Sequence, residues 1–131
     1  MAYLLDTNII SELARPKPDP GVCACVNDLN RIAISVISLD EIYFGLAWRP
    51  NPRIHAWMEA YFQAQDVLSV TPSIARQSGE LRGQFARRGI VRSQADLLIA
   101  ATAKAHHLTL VTRNTRDFED CGIGLLNPFS S

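Results

Sequence analysis

The sequence predicts an α/β fold: helices packed on both faces of a central, mainly parallel sheet of four to five strands. Short apolar, β-branched runs alternate with longer helical segments in the order β-α-α-β-α-α-β-α-α-β, the pattern of strands laid side by side through helical crossovers. A chain of 131 residues without repeats, linkers or low-complexity tracts reads as one domain. Such a chain buries about two-thirds of its unfolded surface without metal or disulfide staples.

The elements follow in order. Tyr3-Leu4-Leu5 is the first strand, ending at Asp6. Thr7 can cap a helix to about Ala14, where Arg15-Pro16-Lys17-Pro18-Asp19-Pro20 stops it, because proline disfavours the helical conformation in the residue before it. A second helix covers 19–30, and Ile32 to Ile37 is the next strand. Ser38 opens a helix that carries Glu41 and ends near Arg49-Pro50, and another runs from Pro52 to Gln65. Val67 to Val70 is a strand, and Thr71-Pro72-Ser73 starts a helix to about Arg88, with proline in the first turn where its missing N–H costs nothing. Ser93 is a favoured N-cap for the strongly helical run Gln94 to Ala103, placing Asp96 at the third helical position. Leu108 to Thr112 is the fourth strand, with a further short one at Gly124-Leu125-Leu126.

Composition narrows the class. Apolar residues make up 47% and charged residues 20%, as in ordinary globular domains. No run approaches the ~20 apolar residues of a membrane span, and the N-terminus lacks a signal-peptide pattern, so a cytoplasmic location without membrane contact is expected. Cys23, Cys25 and Cys121 match no common zinc spacing and are expected to be reduced and structural. Net charge is zero, so any contact with nucleic acid must come from a local patch.

The topology then places the acids. Asp6 ends the first strand, and Glu41 lies in the first turn of the helix leaving the second. Asp96 opens the helix that runs antiparallel to the strand after it, and Asn114 and Asp117 follow the fourth strand. All four acids therefore fall at the carboxyl edge of the sheet, where open α/β sheets bind ligands. Singly, each has a plain structural reading: Ser38-x-x-Glu41 and Ser93-x-x-Asp96 both match a capping box. Together, carboxylates at one edge repel unless a hard divalent cation such as Mg²⁺ or Mn²⁺ neutralises them. Asp19, Asp28, Asp40, Glu59, Asp66, Glu80, Glu119 and Asp120 show no such convergence and are expected to be solvated.

Leu5-Asp6-Thr7-Asn8, Ser38-x-x-Glu41, Asp96-x-x-Ile99-Ala100-Ala101 and Val111-Thr112-Arg113-Asn114-Thr115-Arg116-Asp117-Phe118 resemble the four signatures of PIN-domain ribonucleases. The run Asp6-Thr7-Asn8-Ile9-Ile10-Ser11-Glu12-Leu13 is similar to the FitB-like branch of the VapC toxins. The resemblance covers essentially the whole chain. It implies a PIN-like α/β/α sandwich and a Mg²⁺-dependent endoribonuclease, the toxin of a type II toxin–antitoxin pair, forming a homodimer and binding a cognate antitoxin. Carried over by residue, it implies Asp6, Glu41 and Asp96 as the acidic, metal-holding core and Asp117 as fourth acid. Asn8, Thr112 and Asn114 would support them, with the fourth ligand open between Asn114 and Asp117.

In that reading the metal holds the scissile phosphate and lowers the pKa of a bound water, Asp6 and Asp96 are direct ligands, and Glu41 orients or deprotonates the water. One ion and two ions both fit. His106 and His107 sit at a helix C-terminus and are read as structural. Arg76, Arg82, Arg87, Arg88 and Arg92, opposed only by Glu80, and Arg113 and Arg116 beside the acids are the candidate phosphate contacts, Arg87, Arg88, Arg113 and Arg116 foremost. Tyr43, Phe44, Trp48, Trp57, Tyr61 and Phe62 crowd the helix pair 38–65, mostly as core, with some free to form a groove for an antitoxin helix. Two rivals are weaker. An aspartyl phosphatase wants an acid two residues after Asp6, where Asn8 stands, and a non-catalytic PIN-like scaffold binding RNA or a partner predicts loss of several acids.

Overall fold

A computed structural model describes residues 2–130. Its sheet has five strands in the order β3-β2-β1-β4-β5: β1 (Tyr3–Leu5), β2 (Ile32–Ser35), β3 (Asp66–Leu68), β4 (Thr109–Val111) and β5 (Leu125–Leu126). Every pairing is parallel, so the sheet is wholly and not merely mainly parallel. Leu5 lies opposite Ile34 on one side and Val111 on the other, which puts β1 at the centre.

Strand side chains alternate between faces, and the two faces have separate cores. Leu4, Ala33 and Leu110 face α5 (Pro72–Arg87) and α6 (Gln94–Ala105), packing with Phe85, Leu97, Ile99 and Ala100. Leu5, Ile34 and Val111 face the other layer, packing with Ile9 and Ile10 of α1 (Thr7–Leu13), Val22 of α2 (Pro20–Asn27), Ile42 of α3 (Val36–Trp48) and Met58 of α4 (Pro52–Ala64). A parallel sheet buried on both sides explains why its strands read as continuous apolar runs. Each fully buried Leu or Ile contributes roughly 1.5–3 kcal/mol.

The boundaries differ from the sequence expectation at informative places. Asp6, not Thr7, caps α1, its Oδ1 accepting from the Thr7 amide at 2.8 Å. The second strand stops at Ser35, whose hydroxyl accepts from the Ile37 amide at 3.0 Å and starts α3 three residues earlier than expected. Ser38 is therefore a buried helical residue rather than a cap, and Glu41 lies in the second turn of α3, not the first. The expected strand at 67–70 is Asp66–Leu68, because Thr71 caps α5 through the Ile74 amide. Asp19 is not merely solvated: it caps α2 through the Val22 amide and accepts from the Ser130 hydroxyl at 2.8 Å. That hydroxyl bond leads the causes holding the Asp19 carboxyl below its usual value. A Cβ on Gly21 would come within 2.6 Å of Ser130 Oγ and 2.8 Å of the Pro128 carbonyl, so only glycine lets the C-terminal strap lie against α2.

His106 caps α6 and His107 takes φ 56°, consistent with a structural end to the helix. The cysteines are free, and burial pushes the Cys121 thiol up. Among the described residues no helix is long and apolar enough to cross a membrane.

Candidate functional site

The site is built around Asp6, which is 4% exposed. Its Oδ2 accepts from Thr112 Oγ1 at 2.8 Å and from Asn8 Nδ2 at 3.1 Å. Burial raises its pKa first of all; the Thr112 and Thr7 hydrogen bonds oppose that rise, and the nearby charges of Asp96 and Glu41 add to it. Thr112 and Asn8 also brace each other's surroundings. Thr112 Oγ1 accepts from the Asn114 amide at 3.0 Å, and Asn8 Oδ1 accepts from the Arg113 amide at 3.1 Å, so the turn after β4 is tied to the start of α1.

Glu41 reaches the same place from α3. Its Oε1 lies 2.7 Å from Thr7 Oγ1, and Thr7 Oγ1 lies 2.8 Å from Ser38 Oγ. A carboxylate can only accept, so the Thr7 proton goes to Glu41. Thr7 and Ser38 are thus positioning residues, which the sequence reading had placed as caps.

Asp96 stands at the third position of α6, its amide donating to Ser93 Oγ at 3.1 Å. Among the described residues no backbone amide returns a bond to its carboxylate, so the capping box is half made and the acid is left facing the cleft. Burial raises its pKa, the Ser93 hydroxyl opposes, and Asp117 and Glu41 raise it further.

Asp6, Glu41, Asp96 and Asn114 line one open cleft of about 530 Å³ at the carboxyl edge of the sheet, together with Thr7 and Asn8. Asp117 is exposed on the 3₁₀ turn Thr115–Phe118; it is near enough to act on Asp96 but is not part of the cleft wall, where Asn114 stands instead. Ser11, Glu12 and Arg15 complete the lining and were not foreseen. The signal for Ser11 and Arg15 was the helical spacing from Thr7, four residues each, which repeats along one face; Glu12 falls outside it. A larger hollow of about 640 Å³ lies at the opposite edge of the sheet, and of its lining only Asp66 is acidic.

The arginines disperse. Arg92 is committed to the fold: its Nη1 donates to the carbonyls of Asp117 and Glu119 at 2.6 and 3.1 Å, and its guanidinium lies over the Phe85 ring at 4.5 Å. Arg76 faces Glu80 at 3.5 Å and Arg88 faces Asp120 at 3.8 Å. Arg113 is stacked on Phe129 at 4.3 Å, while Arg82, Arg87 and Arg116 are exposed. The aromatic residues of α3 and α4 are less buried than expected. Phe62 is 8% exposed, but Phe44 and Trp48 are 68% and 71% exposed and stack on each other.

A model of the PIN domain family matches residues 3–123. The chain belongs to the PIN domain family. This PIN domain is 34% identical to VapC ribonuclease Y4jK of Sinorhizobium fredii, over 96% of each chain. It is 33% identical to toxin FitB of Neisseria gonorrhoeae, over 96% of this chain and 97% of FitB. In three dimensions it superposes on the crystal structure of FitAcB from Neisseria gonorrhoeae with a TM-score of 0.84 at 32% identity, covering 96% and 97% of the two chains. Against VapBC2 from Rickettsia felis, bound to a DNA fragment of its promoter, the TM-score is 0.85 at 27% identity, over 97% and 98%. The PIN domain therefore has VapC-like relatives along nearly its full length, and they share its fold.

Proposed function

We propose that this PIN domain is a Mg²⁺-dependent endoribonuclease and the toxin half of a type II toxin–antitoxin pair. The observation that carries the reading is the meeting of Asp6, Glu41 and Asp96, from three separate helices, in one open cleft with Asn114. The relatives support it: VapC ribonuclease Y4jK is named a ribonuclease, FitB a toxin, and one structural neighbour is a toxin–antitoxin complex from Klebsiella pneumoniae.

The donor set fits the ion. Its groups are hard oxygen donors, the carboxylates of Asp6, Asp96 and Glu41 and the Asn114 amide oxygen, and Mg²⁺ is held by one or two carboxylates while keeping several of its waters; among the described residues no three His, Cys, Asp or Glu side chains stand close enough to enclose a metal. The raised pKa values of Asp6 and Asp96 say that burial disfavours these charges without a counter-ion. Asp6 and Asp96 would hold it, with Glu41 and Asn114 beside them. When bound, Mg²⁺ supplies Lewis acidity to the scissile phosphate and lowers the pKa of a bound water. Asp6, locked by Thr112, Asn8 and the Thr7 amide, gives a carboxylate that needs no rearrangement to serve. Glu41, with one oxygen fixed on Thr7, presents its other oxygen to orient or deprotonate the attacking water.

Purified protein should cut total bacterial RNA into discrete fragments with Mg²⁺ or Mn²⁺ but not with EDTA, nor after Asp6→Ala or Asp96→Ala. Folded protein that cuts nothing with any divalent metal would favour an RNA- or partner-binding scaffold. Thr7→Val should lower kcat about tenfold by freeing Glu41, with KM and melting temperature nearly unchanged; an unaltered kcat would remove Thr7 from the machinery.

For the antitoxin, an apolar groove of about 320 Å³ adjoins the acids, lined by Ile42, Leu46, Ile54 and Met58 of α3 and α4. It suits the apolar face of an amphipathic helix. A second copy of the chain is the other partner in this reading, and location in the cytoplasm goes with it.

A further inference from the structure

Among the described residues lining the acid cleft there is one cation, Arg15. It stands just past the end of α1, roughly 13 Å along the helix direction from Asp6, at about 1.5 Å per residue. Its Nη1 donates to both oxygens of Glu12, at 3.0 and 3.3 Å. Glu12 is itself unusual: its side chain is 7% exposed, and its Oε2 also accepts from the Asp19 amide at 2.8 Å. A buried carboxylate fixed by a backbone amide thus holds one end of a guanidinium whose side chain is 63% exposed. The donors on Nε and Nη2 have no protein partner among the described residues.

An arginine fixed at one corner with a planar fork left over matches a phosphate group, which guanidinium binds in bidentate fashion. The cleft otherwise presents only acids and neutral polar groups to a polyanion. We propose that Arg15, held by Glu12, binds a backbone phosphate of single-stranded RNA flanking the scissile one and so sets the direction in which the strand crosses the acids. This rests on the ribonuclease reading of the same cleft. Asp6 at the start of α1 and Arg15 beyond its end make α1 the rail along which the strand lies, and the Glu12 side chain makes the Arg15 position reproducible rather than statistical.

The test uses a fluorescently labelled single-stranded oligoribonucleotide and the full chain, with anisotropy read across a salt series. Cleavage is followed separately with the same oligonucleotide. Arg15→Gln leaves Glu12 buried without its partner and lowers stability, so the deciding comparison is made within Glu12→Gln, where that charge is absent. Glu12→Gln/Arg15→Gln should bind RNA about tenfold more weakly than Glu12→Gln alone, and the log–log salt slope should fall by about 0.7, one phosphate contact on a single strand. In cleavage KM should rise with kcat little changed, and Arg15→Lys should recover part of the affinity. Equal affinity and equal slope for Glu12→Gln and the double variant would overturn the proposal, leaving Arg15 as a partner for Glu12 only. Binding that depends on Arg15 without any cleavage would overturn the ribonuclease reading and keep Arg15 as an RNA contact. Parent protein that binds no RNA would overturn both.

Discussion

Asp96→Asn is expected to lower RNA cleavage roughly 10²- to 10³-fold, the usual effect of removing one charge aimed at a reacting phosphate, while the metal-free protein becomes more stable at neutral pH. Asp96 is the better choice for this test than Asp6. In Asp6→Asn one of the donors from Thr7, Asn8 and Thr112 would face an amide N–H in place of an acceptor, and a buried unmatched donor costs about 1–3 kcal/mol. Among the described residues the Asp96 carboxylate has no backbone donor, so asparagine replaces it without that conflict.

The stability half of the result follows from the direction of the pKa shift. Asp96 is raised above 3.8, chiefly by burial, so the folded protein binds its proton more readily than the unfolded chain. The stability gained from that is complete below 3.8 and is lost as pH rises through the folded value. Asp6 shifts the same way. Urea unfolding in EDTA should show wild type weakening from the acid range towards neutral pH and Asp96→Asn weakening less. Parallel curves would mean that Asp96 ionises as freely in the folded protein as in the unfolded one.

Phe85→Ala is expected to be the most damaging single change to stability, at about 3–5 kcal/mol of a total of roughly 5–15 kcal/mol. Phe85 is 1% exposed and packs among Leu97, Ile99 and Ala100 beneath the sheet. Its ring also lies under Arg92, which clamps the carbonyls of Asp117 and Glu119. The cavity therefore opens where α5, α6 and the 3₁₀ turn meet. Urea unfolding of Phe85→Ala and Phe85→Leu, with the leucine variant losing much less, checks this; a loss under about 1 kcal/mol for alanine would show that the site collapses to fill the gap.

The order of elements was legible because a parallel sheet buried on both faces writes itself as apolar runs between helices. Asp6, Glu41 and Asp96 were placed at one edge by that topology alone, before any contact was known. The boundary after β2 was not legible. Ser35 and Ser38 are both good caps beside β-branched residues and both are buried; what decides for Ser35 is that its hydroxyl accepts the Ile37 amide while that of Ser38 meets Thr7. For the same reason Glu41 was put one turn too early. Asn114 and Asp117 could not be separated: residues three apart across a 3₁₀ turn share a side, and only the cleft lining puts Asn114, at the N-cap, in the wall and Asp117 outside it. Glu12 and Arg15 read as an ordinary surface pair at a spacing of three; that Glu12 is buried comes from the chain around Asp19 folding over it.

The central strand has a consequence for how this protein is made. Asp6 is completed by Thr112, 106 residues further along the chain, and β1 pairs with β4 as well as with β2. A ribosome adding about 5–20 residues each second exposes Asp6 within the first moments of synthesis and Thr112 only near the end. The emerging chain thus carries Asp6 through more than a hundred residues of synthesis without the strand that locks it, and the cleft takes its final geometry only when β4 has been added beside β1.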